Sequence, residues 1–416
     1  MAFISKNKFF NYYLPITLIM VVIFIFSFFV WQPPKKIEAG WYASGSTWSY
    51  RKAIIIDHNK ITATTTAISN FPMLFSVTDT DLKFTGSGGL VASSTGGDLV
   101  FTSSDGTTKL DHEIEYYAST TGQTIAWVEI PSLSPTVDTT IYVYYGSNTT
   151  TYQPNPTGVW DSAFKGVWHL PNGTTLTALD STSNANNGTL SNTPTAATGK
   201  VDGAADLERG SSQQITAGTS STLEIQNITI SAWVKVESFG GTSTDEIFAK
   251  MDSVFTGGYE FGLRENAGNQ FIAIAYYDGS VRGWYEASTD LSVATWYHVV
   301  GVRDQANSTI RFYLNGSADG TPAATNGTIA YVGDTARLGW QSQNQYFDGI
   351  IDEVKVSSVV RSAAWIVAEY NNQSSPSTFY SYGSKQIQNR ITPGVNIRGK
   401  GGSSPSIKIR GGVKFK

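Results

Sequence analysis

Apolar and polar residues alternate at every second position in short runs from Trp41 to Gly383. A period of two sends successive side chains to opposite faces, so each run predicts a half-buried strand. The first part holds Arg51–Asp57, Met73–Val77, Asp98–Thr102, Lys109–Tyr117, Thr124–Ile130 and Thr140–Tyr145, with Gly, Pro, Ser and Thr between them. The second part holds Asn227–Val236, Tyr259–Glu265, Gln270–Gly279, Ala294–Asp304, Thr309–Ser317, Ala336–Trp340 and Tyr346–Val356. Helical spacing appears near the end, over Ser362–Asn371, with Ser362 placed as N-cap. The fold class expected is all-β: a β-sandwich-like domain at 41–157 and a second β domain at 158–383. Pro154 and Pro156 mark the boundary. The Gly/Ser stretch Gly86–Gly97 lacks the lysine of a phosphate loop and reads as a linker.

The two ends differ from this body. Lys6 and Lys8 precede an uncharged stretch, Phe9–Pro34, whose apolar centre is Ile16–Trp31. That length lies between a signal-peptide core and a bilayer span. Residues 1–40 therefore read as a signal peptide, with Ala39 before the cut, or as a membrane anchor. Either places the body outside the cytoplasm, secreted or held at the cell surface. The membrane is a partner if the segment is retained. Residues 384–416 carry +8 and hold two imperfect Ile-Arg-Gly units, at Asn396–Gly402 and Lys408–Lys416. Short, Gly-rich, basic runs bury no core, so this tail is expected to be disordered and suited to anionic envelope polymer or lipid.

Composition narrows the chemistry. Of 416 residues, 15% are charged and 13% aromatic, against about 25% charged in an average domain. The net charge of −4 conceals a body of −15, which offers no electrostatic footprint for nucleic acid. There is no Cys, which removes disulfides, thiolate zinc sites and thiol nucleophiles. The four His are scattered, without metal-ligand spacing or a recognisable triad.

Two resemblances stand on quoted residues. The ordered phrases "WSYRKAIIID" (Trp48–Asp57), "GGDLVFTSSDGTTKLDHEIEYY" (Gly96–Tyr117), "AWVEIPSL" (Ala126–Leu133) and "TTIYVYYGS" (Thr139–Ser147), followed by "VWDSAFKGVWHL" (Val159–Leu170), resemble the bacterial domain of unknown function 2341. That resemblance implies an extracytoplasmic β domain with no chemistry to carry over. Trp233, Trp296, His298, the Asn315-Gly316 hairpin and Gly349–Val354 are similar to the laminin-G-like, concanavalin A-like jelly-roll family. The Ala178–Leu190 loop matches that family's early Asp/Asn/Gly loop.

Because jelly rolls include glucanases, paired carboxylates need inspection. Asp352 and Glu353 are neighbours on a strand and should face opposite ways, whereas retaining chemistry needs two carboxyls on one face. Asp111, Glu113 and Glu115 share a face and read as an acidic solvent face. His298, alternating with Trp296, reads as a packed histidine. The chain is expected to be no enzyme.

A calcium site is one expectation. Alternation puts Asp352 with Ile350, Val354 and Val356 on the apolar face, where a carboxylate needs a cation or strong donors. The Asp180–Gly188 loop adds a carboxylate and the amide oxygens of Asn184 and Asn187, suited to Ca2+. Related jelly rolls bind calcium at comparable loops. The alternative is Asp352 hydrogen-bonded to backbone or Arg, with Asp180 capping a turn.

A glycan platform is the other expectation. Arg282, Trp284 and Glu286 alternate along one strand, offering a ring for C–H stacking beside a cation and a carboxylate. Trp340 and Tyr346 extend it if they share its rim. The alternative is Trp284 in the core, with Arg282 and Glu286 paired across the strand. The reading is a cell-surface or secreted binding protein for carbohydrate or another cell-envelope polymer. A structural envelope or surface-layer subunit is the alternative, and a glycoside hydrolase a distant third.

Overall fold

A computed structural model describes residues 40–388, apart from 44–46, 150, 172–174, 241–243, 252–254, 280–281 and 342–344. The expected signal or anchor, and the tail beyond Gln388, lie outside the described residues. Among the described residues no helix is long and apolar enough to cross a membrane.

The alternating runs of the first part form β1 (Trp48–Ile56), β2 (Ile68–Thr78), β3 (Val100–Thr102), β4 (Lys109–Leu110), β5 (His112–Ala118), β6 (Gln123–Leu133) and β7 (Thr139–Ser147). Those of the second part begin with β8 (Phe164–Trp168), β9 (Thr189–Ser191), β10 (Thr195–Thr198), β11 (Gly203–Leu207), β12 (Gln214–Thr216) and β13 (Ile228–Val236). They continue with β14 (Thr244–Met251), β15 (Gly257–Asn266), β16 (Asn269–Asp278), β17 (Arg282–Glu286) and β18 (Trp296–Asp304). The last are β19 (Thr309–Leu314), β20 (Ser317–Ala318), β21 (Ala323–Ala324), β22 (Thr335–Leu338) and β23 (Gly349–Ser357). Asn315 and Gly316, both at positive φ (50° and 78°), close the two-residue hairpin between β19 and β20.

Two further strands, β24 (Tyr380–Tyr382) and β25 (Gln386–Ile387), return to the first part and pair antiparallel with β1. One sheet thus runs β24-β1-β7-β3-β4, and β2-β6-β5 lies opposite it. The expected boundary at 383 therefore shifts. The jelly roll is inserted, and the chain comes back to finish the first sandwich. Gln386 and Ile387, expected in a disordered tail, are ladder residues.

The jelly roll stacks a nine-stranded sheet (β10-β11-β23-β13-β18-β19-β20, plus β8 and β21) on a seven-stranded one (β17-β16-β15-β14-β22-β12-β9). Ile230, Val234, Phe261, Ile272, Ile274 and Val299 fill the space between them. Each such side chain contributes roughly 1.5–3 kcal/mol by leaving water. The helix Ala363–Ser374 begins where Ser362 Oγ accepts from Trp365 N at 3.2 Å, as its cap pattern predicts. Trp365 and Ile366 join one apolar cluster with Phe71 and Phe75 of β2 and with Val300 and Val302 of β18. The outer face of the nine-stranded sheet is thus buried against the first sandwich.

One irregularity decides what lies in that seam. The β13–β23 register slips between Ser231↔Lys355 and Trp233↔Asp352, and Glu353 takes φ +53°. A bulge of this kind inserts one residue and reverses the alternation beyond it. Ile351 before it, and Val354 and Val356 after it, face the jelly-roll core. Asp352, Glu353 and Lys355 are left on the seam side, where all three are buried.

Candidate functional site

On β16, Ile272, Ile274 and Tyr276 enter the core, so Ala273 and Ala275 face outward. Registry carries that outer face across the sheet. Trp284 lies beside Ala275, Glu286 beside Ala273, and Glu260 and Gly262 on β15 continue the two rows. Ala249 and Glu246 on β14 follow, then Arg337 on β22.

Trp284 and Glu286 thus stand together on the outer face of an edge strand, and Trp284 is only half-buried. Their cation is Arg264 of β15, which forms the ion pair with Glu286 and places its guanidinium 5.1 Å from the Trp284 ring centroid. Asn266 Nδ2 donates to the second Glu286 oxygen at 2.8 Å. Arg282 opens β17 by backbone, and its side chain is outside the described residues. Arg264 was missed from the sequence; the signal available was "YEFGLRE", where Glu260, Gly262 and Arg264 alternate with the core residues Tyr259, Phe261 and Leu263.

Trp340 and Tyr346 do find each other. Their rings stack at 5.5 Å and 18°, with Arg337 4.7 Å from the Trp340 centroid. They flank β22, four strands from β17, or about 19 Å at ordinary strand spacing. The aromatic groups therefore form two plates on one sheet rather than a continuous rim.

The calcium residues have other partners. Asp180 Oδ1 accepts from the backbone N of Val167 and Thr182 at 3.0 and 2.9 Å. Its Oδ2 accepts from Thr182 Oγ1 and Asn186 N at 2.9 and 2.8 Å. Asn187 Oδ1 takes the N–H of Asp180, and Asn184 Nδ2 donates to Phe164 O. Asp352 is not on the jelly-roll apolar face: the bulge turns it outward, where Oδ2 accepts from Lys200 N and Val201 N at 2.7 and 2.9 Å. Both Asp180 oxygens and Asp352 Oδ2 hold internal donors, the arrangement the turn-capping alternative describes, while Asp352 Oδ1 has none among the described residues. Asp180→Ala should leave three buried N–H groups unpaired and cost about 3 kcal/mol or more. Denaturant titration with calcium, and again with chelator, should return the same loss. A loss confined to the calcium arm would restore the cation.

Glu113 and Glu115, expected on a solvent face, are instead turned into the seam. The β5–β6 register slips between Ile114 and Tyr116, and the jelly roll covers what that face presents. His169, just beyond β8, lies between Trp127 and Trp160, with ring centroids at 5.3 and 5.4 Å. Its Nδ1 is 2.7 Å from Glu353 Oε1, and its Nε2 is 3.4 Å from Glu113 Oε2. Trp160 Nε1 and Ser181 Oγ donate to Glu113 at 2.8 and 2.6 Å, and Trp127 Nε1 donates to Glu115 at 2.7 Å. Lys355 Nζ is 2.8 Å from Glu353 Oε2 and 3.5 Å from Glu369 Oε1. The ligand atoms of Glu115, His169 and Glu353 lie within 4.8 Å of one another, spacing that suits a metal, but Lys355 already supplies a cation there. The sequence held no local signal for this cluster, since Glu113 and Glu115, His169, and Glu353 and Lys355 come from three distant segments. His298 is packed as expected, 5.1 Å from the Trp233 ring, and burial lowers it to about 4.

Two stacked antiparallel sheets define a jelly-roll β-sandwich. Residues 209–367 match the concanavalin A-like lectin/glucanases superfamily, and residues 95–176 match the domain of unknown function DUF2341. No curated protein matches the chain. Among solved structures, domain 4 of AbnA, a GH43 extracellular arabinanase from Geobacillus stearothermophilus in complex with arabinotriose, is 21% identical at TM-score 0.40. That match covers 49% of this chain and 96% of that one. The Ruminococcus gnavus IT-sialidase CBM40 bound to α2,3-sialyllactose is 13% identical at TM-score 0.30, covering 35% and 83%.

Proposed function

We propose that the protein is an extracytoplasmic, non-catalytic binding protein that takes carbohydrate across the outer face of its seven-stranded sheet. The observation carrying this is the half-buried Trp284, with Arg264 against its ring and Glu286 alongside. A sugar presents C–H faces and hydroxyls together, and this group answers both, by ring stacking and by charged acceptor and donor. The Trp340–Tyr346 pair gives a polymer a second contact on the same sheet. The export reading rests on Lys6, Lys8 and the apolar stretch after them.

Hydrolysis is the second reading, and it rests on Glu246 and Glu260. They are diagonal neighbours on adjacent strands, about 7–8 Å apart in such a ladder, close to the separation of an inverting pair. Both are fully buried, which favours binding over chemistry on a bulky substrate.

A glycan-array screen of the full chain tests the proposal. Trp284→Ala should abolish binding of the captured glycan while shifting the melting temperature little, because the ring is outside the core. Binding lost together with a large fall in stability would make Trp284 structural. Sugar release that Glu260→Gln abolishes would establish the hydrolase.

A further inference from the structure

We infer that the Glu113–Glu115–His169–Glu353–Lys355 cluster is a pH-operated latch between the two domains, closed in mildly acidic to neutral solution and released as the medium turns alkaline. The geometry is that of a joint. β5 supplies Glu113 and Glu115, the jelly roll supplies His169, Glu353 and Lys355, and the imidazole sits among all three carboxylates. Side chains of His169, Glu115, Glu353 and Lys355 are each at most 5% exposed, so water screens none of these charges. Among the described residues Glu115 Oε1 has no hydrogen-bond partner, so this carboxyl is only partly satisfied where it sits.

Other charged groups face the cluster. Glu369 of the helix meets Lys355, and Asp352 lies next to Glu353 on β23. Asp202 bears on Glu115, while Asp161 is held by Arg361 and Lys200 covers Trp233. Glu129 on β6, near Asp111 and Asp161, is raised to about 7 by burial and by those two acids.

The sign of the response follows. Burial works to lower His169, but Glu353, Glu113 and Glu115 outweigh it and hold the ring well above 6.5. Burial and the Glu353 charge raise Glu115 and Asp352 well above ordinary carboxyls. Burial alone would raise Glu353, yet His169 and Lys355 keep it low. A raised histidine contributes stability that is complete below its unfolded value and lost as pH climbs through the folded one. Raised carboxyls add to the loss, since ionising them within the seam is unfavourable. Three groups then shed protons in one direction and leave the cluster three charges more negative around Lys355.

Scanning calorimetry of the full chain at pH 6 and pH 9 tests this. The wild type should melt as one transition at pH 6. At pH 9 the two domains should separate, with the lower transition down by about 5 °C or more. Glu115→Gln keeps the acceptor for Trp127 without the titrating proton and should at least halve that fall. His169→Gln, which removes another of the three titrating groups, should also reduce the fall. Glu265→Gln, on β15 away from the seam, should keep the wild-type response. Fluorescence of Trp127 and Trp160 should change with the same midpoint as the melt. An equal fall in wild type and Glu115→Gln, or none in wild type, overturns the latch, and Glu115→Gln decides alone if His169→Gln does not fold.

Discussion

Ending the chain after Ser375 should unfold the first sandwich, although every residue removed lies beyond the jelly roll. The lost segment carries Phe379 and Tyr380, both buried, which stack against Phe71 and Phe75 at 6.2 and 6.0 Å. Tyr380 Oη accepts from Ser76 N at 2.8 Å and donates to Ser76 O at 3.1 Å, and Tyr382 Oη donates to Asp79 at 2.9 Å. Phe379→Ala alone should cost about 3–5 kcal/mol. Losing the whole segment exceeds that and approaches the roughly 5–15 kcal/mol by which a domain is stable. It also bares the edge of β1, an invitation to aggregate. Hydrogen exchange should show protection lost over β1, β2 and β7 while β13 and β18 keep theirs. Unchanged protection in β1 would mean the returning strands are ornamental.

Lys355→Met should be the most damaging single change in the seam. The ammonium is buried, lies 2.8 Å from Glu353, and sits 4.7 Å from the Trp127 ring centroid. Removing it leaves Glu353 and Glu369 as buried anions without their shared cation. Breaking a buried pair from one side costs about 3–5 kcal/mol. Adding Glu353→Gln removes one stranded charge and should recover part of the loss, the coupling expected of groups in contact. Urea unfolding of the single and double variants measures it. A double variant no better than the single would show that packing, not charge, is at stake.

The strands were legible because they are antiparallel with one apolar face each, and alternation reports that geometry. The Asn315-Gly316 turn was legible because both positions need positive φ. Alternation failed where a bulge intervened. Glu353 takes positive φ without being glycine, so nothing local warned that Asp352 and Glu353 would share a side. The seam cluster was hidden for a second reason. Glu113 looks solvated until the jelly roll, and His169 with it, is laid over β5. Half of the candidate site was readable, since Trp284 and Glu286 alternate on one strand, but the choice of Arg264 as cation depends on the β15–β16–β17 registry.

The pairing of β24 and β25 with β1 also fixes how the body responds to a pull. Gln388 N donates to Ser49 O at 3.0 Å, and Arg51 reaches both Gly40 O, at 2.5 Å, and Gln386 Oε1, at 2.7 Å. The described chain therefore enters and leaves at one point. Tension between those ends loads an antiparallel ladder from a single side, so its rungs open one at a time rather than shearing together. Until that ladder has parted, no force reaches the jelly roll. Mechanically the jelly roll is a side loop, shielded from strain applied between those two ends.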